Sequence, residues 1–280
     1  MKLKTSIMVL VATAAIWGCD KFKVTTTKDG DRLLVHEKGK SGKVGKDGDI
    51  LTFDLVIKSD KDSVIKDSYK EGQAFIMPIQ KGQFKGSFES ALYHIGEGDS
   101  TTVLVSSDSL FKLMNQPLAP GITKGSDLKF TVKMHKVQTR AEFDKDLLDK
   151  KNNEPKEIEA YVAKNLKNAQ KTVDGIYYVE NTVGTGATPV VGNLVNVQYV
   201  GKFLNGKVFD KSTPENPFEF PVGEGRVIAG WDKILMTMKK GGKTTVVIPS
   251  VLAYGEQGVG PIQPNTPLVF EITLNDVKQK

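Results

Sequence analysis

Hydrophobic and polar side chains alternate along several short stretches of this chain. From residue 51 to 57, Leu51, Phe53, Leu55 and Ile57 alternate with Thr52, Asp54 and Val56, and from 195 to 200, Val195, Val197 and Tyr199 alternate with Asn196, Gln198 and Val200. A period of two turns one set toward a core, so both stretches predict half-buried strands. Thr101-Thr102-Val103-Leu104-Val105 is echoed by Thr244-Thr245-Val246-Val247-Ile248, each following a glycine-containing turn, Gly96-Glu97-Gly98 and Gly241-Gly242. Phe130, Val132 and Met134 share one face, as do Phe270, Ile272 and Leu274. Partners lie 140 to 144 residues apart throughout, which predicts one domain written twice.

Between the copies the period changes to helical. Ile158, Val162, Leu166 and Ala169 make a stripe after Asn153 as N-cap, with Pro155 in the first turn. The charge-dense run Thr139 to Asn153 reads as a polar connector, and the helix is expected to pack on the second copy or lie between the two. The resulting division is a leader at 1–18, a first domain at 24–138, a linker and amphipathic helix at 139–172, and a second domain at 173–280.

Met1-Lys2-Leu3-Lys4 is a basic start, and the uncharged run from Thr5 to Gly18 is too short to span a bilayer comfortably. Together they predict an export signal. Ile16-Trp17-Gly18-Cys19 resembles the lipobox of bacterial lipoproteins, although Trp17 departs from the small residue usual there. The resemblance implies lipidation at Cys19 and anchoring to a membrane of the bacterial cell envelope, on its periplasmic or surface side.

Composition narrows the chemistry. The 280 residues, 39% hydrophobic, suffice for two cores, and with one cysteine no internal disulfide can form. The 39 basic side chains include three arginines, Arg32, Arg140 and Arg226, and the lysines are scattered among 33 acids, so no nucleic-acid surface is expected. His36, His94 and His135 are widely spaced in the first copy, and the second copy has neither His nor Cys. A Ser-His pair or a soft-ligand metal cluster cannot be assembled in the second copy, and no metal or other cofactor is expected.

The second copy carries a run of motifs. Tyr199-Val200-Gly201 ends a strand, Asn205-Gly206 marks a hairpin, and Val208-Phe209-Asp210 starts the return. Asn216-Pro217-Phe218-Glu219-Phe220, Val227-Ile228-Ala229-Gly230-Trp231, Ala253-Tyr254-Gly255 and Gly260-Pro261-Ile262-Gln263-Pro264-Asn265 follow. In this order and spacing they resemble the FKBP family of peptidyl-prolyl cis-trans isomerases, over about Asp174 to Lys280. The resemblance implies an α+β fold in two FKBP-like domains, the first degenerate. Each is a curled antiparallel sheet of about five strands over one short helix, placed in the second copy at about Gly230 to Met238. The residues agree independently, because Ile234, Leu235 and Met238 give that helix an apolar face and Gly241-Gly242 can end it.

The resemblance further implies a prolyl-isomerase site between sheet and helix. Trp231 would form its floor, and Tyr199, Phe209, Phe220, Val227, Ile228, Ile262 and Phe270 its apolar, substrate-binding walls. The Ile228 N–H and the Tyr254 hydroxyl would hold substrate carbonyls, with Asp210 orienting the reacting amide. The implied activity is isomerisation of Xaa-Pro bonds in proline-containing clients among envelope or exported proteins, open to the family's macrolide inhibitors. The alternative is a non-catalytic peptide-binding or chaperone module on the same fold. One departure stands out: Lys211-Ser212-Thr213-Pro214-Glu215 supplies no arginine to pair with Asp210, which leaves Lys211 as a partial substitute. In the first copy, Phe88 stands for Trp231, but Phe111 replaces Tyr254, Leu55 Tyr199, Ile65 Phe209, Lys66 Asp210 and Lys85 Ile228. That copy is expected to fold without catalysing.

Overall fold

The computed structural model describes residues 23–279. The first sheet is built from β1 (Thr25–Thr26), β2 (Arg32–Glu37), β3 (Ile50–Lys58), β4 (Val64–Asp67), β5 (Phe75–Pro78), β6 (Ser100–Ser106) and β7 (Asp127–Gln138), with short helices α1 (Ser68–Glu71), α2 (Phe88–Leu92) and α3 (Ser107–Leu113). The long helix α4 (Arg140–Asn165) follows. The second sheet holds β8 (Gln170–Lys171), β9 (Tyr177–Thr182), β10 (Leu194–Phe203), β11 (Val208–Lys211), β12 (Phe218–Pro221), β13 (Lys243–Ile248) and β14 (Leu268–Lys278), with α5 (Ala229–Leu235) and a 3-10 turn at Ser250–Leu252.

The two sheets have one topology. Strands run β1-β2-β6-β7-β3-β4 in the first and β8-β9-β13-β14-β10-β11 in the second, with β5 and β12 each pairing with the same central strand as β4 and β11. All pairs are antiparallel. Seven strands rather than five result because a two-residue strand extends one edge and the opposite edge is split in two. The repeat therefore extends to hydrogen-bond register. Gly201 faces Asp210 across β10 and β11 where Ile57 faces Lys66 across β3 and β4. The Tyr199 N–H donates to Ser212 Oγ just as the Leu55 N–H donates to Ser68 Oγ, both at 2.9 Å.

Alternation along the strands then decides which face each helix covers. Val246, Ile248, Leu268, Phe270 and Ile272 point inward to Trp231, Ile234 and Leu235 of α5. At Gly230 a side-chain carbon would lie 2.4 Å from Ile248 Cγ2, so the glycine lets α5 settle directly on β13. The intervening residues, Val247 and Val269, are buried on the opposite face against Ile158, Tyr161 and Val162 of α4 and Leu166, its C-cap. The second sheet is thus covered on both faces. In the first domain Leu51, Phe53, Val103, Val132 and Met134 enclose a separate core with Leu92 and Ile95.

The long helix starts at Arg140, well before the Glu154 expected from the apolar stripe. Thr139 and Glu142 form a reciprocal capping box, the Glu142 N–H donating to Thr139 Oγ1 and the Thr139 N–H to Glu142 Oε2. Ion pairs Arg140–Asp144 and Lys145–Asp149 span single turns on the exposed part. Pro155 lies inside the helix rather than in its first turn. Among the described residues no helix is long and apolar enough to cross a membrane. The expected export signal and Cys19 lie outside the described residues.

Candidate active site

A cavity of about 210 Å³ opens between α5 and the concave face of the second sheet. Each wall has a local cause. Tyr199 projects from β10 and Phe209 from the paired β11, while Phe270 comes from the neighbouring β14. Trp231, in the first turn of α5 and 4% exposed, closes the floor. Its ring meets those of Tyr199 at 5.0 Å and Phe270 at 5.3 Å, both edge-on, the geometry favoured by ring quadrupoles. Its indole N–H is buried without an acceptor among the described residues.

The polar groups stand at the rim. The Tyr199 hydroxyl donates to Asp210 Oδ2 at 2.6 Å, and the Lys211 backbone N–H donates to Asp210 Oδ1 at 2.8 Å. The carboxylate is therefore held by a phenol and a peptide group, with the Lys211 main chain rather than its ammonium facing it. Val227 and Ile228 are set by Asp232, which accepts from the Gly223 and Gly225 N–H groups and so fixes the turn leading into α5. Ile228 is the N-cap of α5, a position whose N–H lies outside the helical ladder. Tyr254 follows the 3-10 turn and completes the lining.

Eight of the ten residues expected at a site thus share one cavity: Tyr199, Phe209, Asp210, Val227, Ile228, Trp231, Tyr254 and Phe270. Phe220 and Ile262 lie outside this lining, within the core of the second domain. Phe220 packs against Trp231 at 5.9 Å and supports the floor from behind. Two lining residues were not anticipated, Phe218 and Arg226. Gly201 is a third contributor: a side-chain carbon there would lie 2.7 Å from Phe209 and 2.9 Å from Phe270, so its bareness makes room for both rings.

The first domain differs at the same places. Phe88 stacks on Phe130 at 4.9 Å, where Trp231 meets Phe270 edge-on at 5.3 Å, so an aromatic floor persists in a different geometry. Ile57 fills the space that Gly201 leaves, and Lys66 stands in register where Asp210 stands, pairing with Glu71 at 2.7 Å. Lys85 does not reach the equivalent cavity; it lines another recess beside Asp47 and His94. What remains is an apolar recess bounded by Ile57, Ile65, Phe111 and Phe130. Asp29, Asp31 and His94 are the one group of potential metal ligands among the described residues, and they lie in this domain, away from the cavity.

Burial, and then the hydrogen bond to Asp210 and its charge, push the Tyr199 phenol well above the usual range; burial and then the Asp210 charge push Tyr254 up as well. Both phenols stay protonated through neutral pH. Because their folded-state values are raised, the stability they contribute is complete below the unfolded phenol pKa of about 10 and is lost as pH rises past it. Urea unfolding of the second domain is expected to shift to lower midpoint between pH 9 and 11, and Tyr199→Phe to reduce that shift. A midpoint as pH-sensitive in Tyr199→Phe as in the parent would refute this.

A family model described as FKBP-type peptidyl-prolyl cis-trans isomerase matches residues 41–135 and 186–275. FK506-binding protein 3 of Yarrowia lipolytica is 43% identical over 104 residues, 37% of this chain and 26% of that protein. FK506-binding protein 4 of Dictyostelium discoideum is 42% identical over 121 residues, 42% of this chain and 33% of that protein. The chain therefore spans about a quarter to a third of the length of these curated relatives. A crystal structure of a peptidyl-prolyl cis-trans isomerase from Pseudomonas syringae is 41% identical and covers 47% of this chain and 95% of that one, with a TM-score of 0.43. The expected bacterial-envelope location is corrected by the curated relatives, which are fungal and Dictyostelium FK506-binding proteins rather than envelope lipoproteins.

Proposed function

Since this chain belongs to the FKBP-type peptidyl-prolyl cis-trans isomerase family, we propose that its second domain isomerises Xaa-Pro bonds of polypeptide clients in the Trp231 cavity. The observation that carries the reading is that Asp210, Tyr254 and Ile228 line one aromatic pocket. At about 210 Å³ the cavity is smaller than the 300–1,000 Å³ of pockets for drug-sized ligands, and suits a single side chain such as a prolyl ring.

The barrier to be lowered, about 18–20 kcal/mol, is amide resonance that is lost as the bond twists. No nucleophile is needed. The twisted amide is less dipolar than the planar one, so dry rings favour it over the ground state. The Ile228 N–H and Tyr254 hydroxyl hold the carbonyls on either side, and Asp210, fixed by Tyr199 and the Lys211 N–H, presents its charge to the reacting amide. Arg226 at the rim favours clients with an acidic residue near the proline. In the first domain Lys66 stands for Asp210, Phe111 for Tyr254 and Ile57 for Gly201, which leaves a structural, spacer or client-holding role.

In the full chain, Asp210→Val and Tyr254→Phe are each expected to lower kcat/KM for short Xaa-Pro peptides by about 3- to 10-fold, the worth of one hydrogen-bonding group. Thermal unfolding should be little changed. Undiminished rates in both would place the chemistry elsewhere.

A further inference from the structure

On the reading that Tyr254 belongs to the reactive site, we propose that α4 holds the Tyr254 loop in its working geometry and that Glu154 is the positioning residue through which it does so. Glu154 is 7% exposed, and its carboxylate is spent on one residue of the second domain. Ser250 Oγ donates to Glu154 Oε2 at 2.7 Å, and the Ser250 N–H donates to Oε1. Ser250 is itself 3% exposed and opens the 3-10 turn that follows β13.

The hold passes to Tyr254 in one step. The Ser250 carbonyl accepts from the Ala253 N–H at 2.9 Å and from the Gly255 N–H at 2.8 Å, so the residues on both sides of Tyr254 are tied to the group that Glu154 fixes. The returning arm is fastened by the same helix. Lys150, one turn before Glu154, donates to the Pro264 carbonyl at 2.7 Å and to Thr266 Oγ1 at 2.8 Å, and Asn265 Nδ2 donates to the Leu147 carbonyl at 3.1 Å. The Asn265 N–H donates to the Gly255 carbonyl and joins the two arms. Burial pushes the Lys150 ammonium down, opposed by the charges of Glu157 and Glu154.

Packing alone does not account for this arrangement. Ile158, Tyr161, Val162 and Leu166 already seat α4 on the sheet. A buried carboxylate costs more to desolvate than an apolar side chain of the same size, and it repays that only when both oxygens are bonded. Here both oxygens are bonded, to the residue that sets Tyr254. The loop needs such a clamp because Gly255, Gly258 and Gly260 all have positive φ, a stretch with little stiffness of its own.

The test is a cycle in the full chain, read as kcat and KM for a short Xaa-Pro peptide. Glu154→Ala should lower kcat by about 3- to 10-fold, no more than Tyr254→Phe does, with KM within about twofold, because a group that acts in the transition state is displaced. In the Tyr254→Phe background, the same change should cost less than about twofold. Glu154→Gln, which keeps an acceptor for the Ser250 N–H, should recover most of the rate. Should Glu154→Ala fail to fold, Ser250→Ala takes its place in the cycle. Losses that multiply across the two backgrounds, or an unchanged rate in Glu154→Ala, would overturn the positioning role. A Tyr254→Phe variant as fast as the parent would instead sink the site reading on which it rests.

Discussion

Trp231→Ala is expected to cost the second domain about 3–5 kcal/mol of stability and to lower kcat/KM by at least about a hundredfold. The size follows from what the ring touches. It is buried at 4% exposure and meets Tyr199, Phe218, Phe220 and Phe270 with centroids between 5.0 and 6.3 Å. Alanine removes the contacts of four rings at once and leaves a void contiguous with the cavity, which admits water where a dry surface is required. Trp231→Phe separates the two effects. Phe88 shows that a phenyl ring can serve as the floor of this fold, so Trp231→Phe should keep most of the stability while losing the indole N–H and part of the enclosure. Urea unfolding followed by tyrosine fluorescence, beside the peptide assay, reads both. A Trp231→Ala protein as stable as the parent, or one isomerising at the parent rate, would contradict the structural account.

The elements that were legible in the sequence are those whose signal is local. Strands such as Ile50–Lys58 and Leu194–Phe203 have one buried face, so alternation exposes them, and a repeat of alternations exposes the pair of domains. Helix α4 was legible only in its second half. Its first turns are solvated and carry no apolar stripe, and the signal present there, Thr139 with Glu142 three residues on, is a cap rather than a period.

Within the site, the rings at the centre were readable and the rim was not. Phe218 and Phe220 point to the same face of β12, and alternation cannot say which one borders the cavity. The strand's position does: Phe218 at its start is 41% exposed at the mouth, whereas Phe220 lies behind Trp231. The partners of Asp210 are illegible in the sequence for another reason. A search for a replacement guanidinium leads to the Lys211 side chain, but the carboxylate is satisfied by the Tyr199 hydroxyl and the Lys211 main chain. The contact between Glu154 and Ser250 joins residues 96 positions apart and leaves no trace in either local pattern.

One fold occurs twice in this chain, and on the proposed reading catalysis resides in the second copy alone. The two halves share topology, register and the Ser68 and Ser212 hydrogen bonds, so a difference in activity cannot come from the scaffold. On the proposed reading it comes from the side chains at the cavity, Gly201, Asp210, Tyr254, Tyr199 and Phe209 against Ile57, Lys66, Phe111, Leu55 and Ile65. The most direct measurement expresses residues 24–138 and residues 139–280 separately, the second retaining α4, and confirms a cooperative thermal transition in each. Both are then assayed on the same Xaa-Pro peptide. The expected result is a rate within about threefold of the full chain from 139–280, and from 24–138 a rate at least about a hundredfold lower, a difference of some 2.7 kcal/mol in barrier. Comparable rates from two folded halves would mean that both copies catalyse.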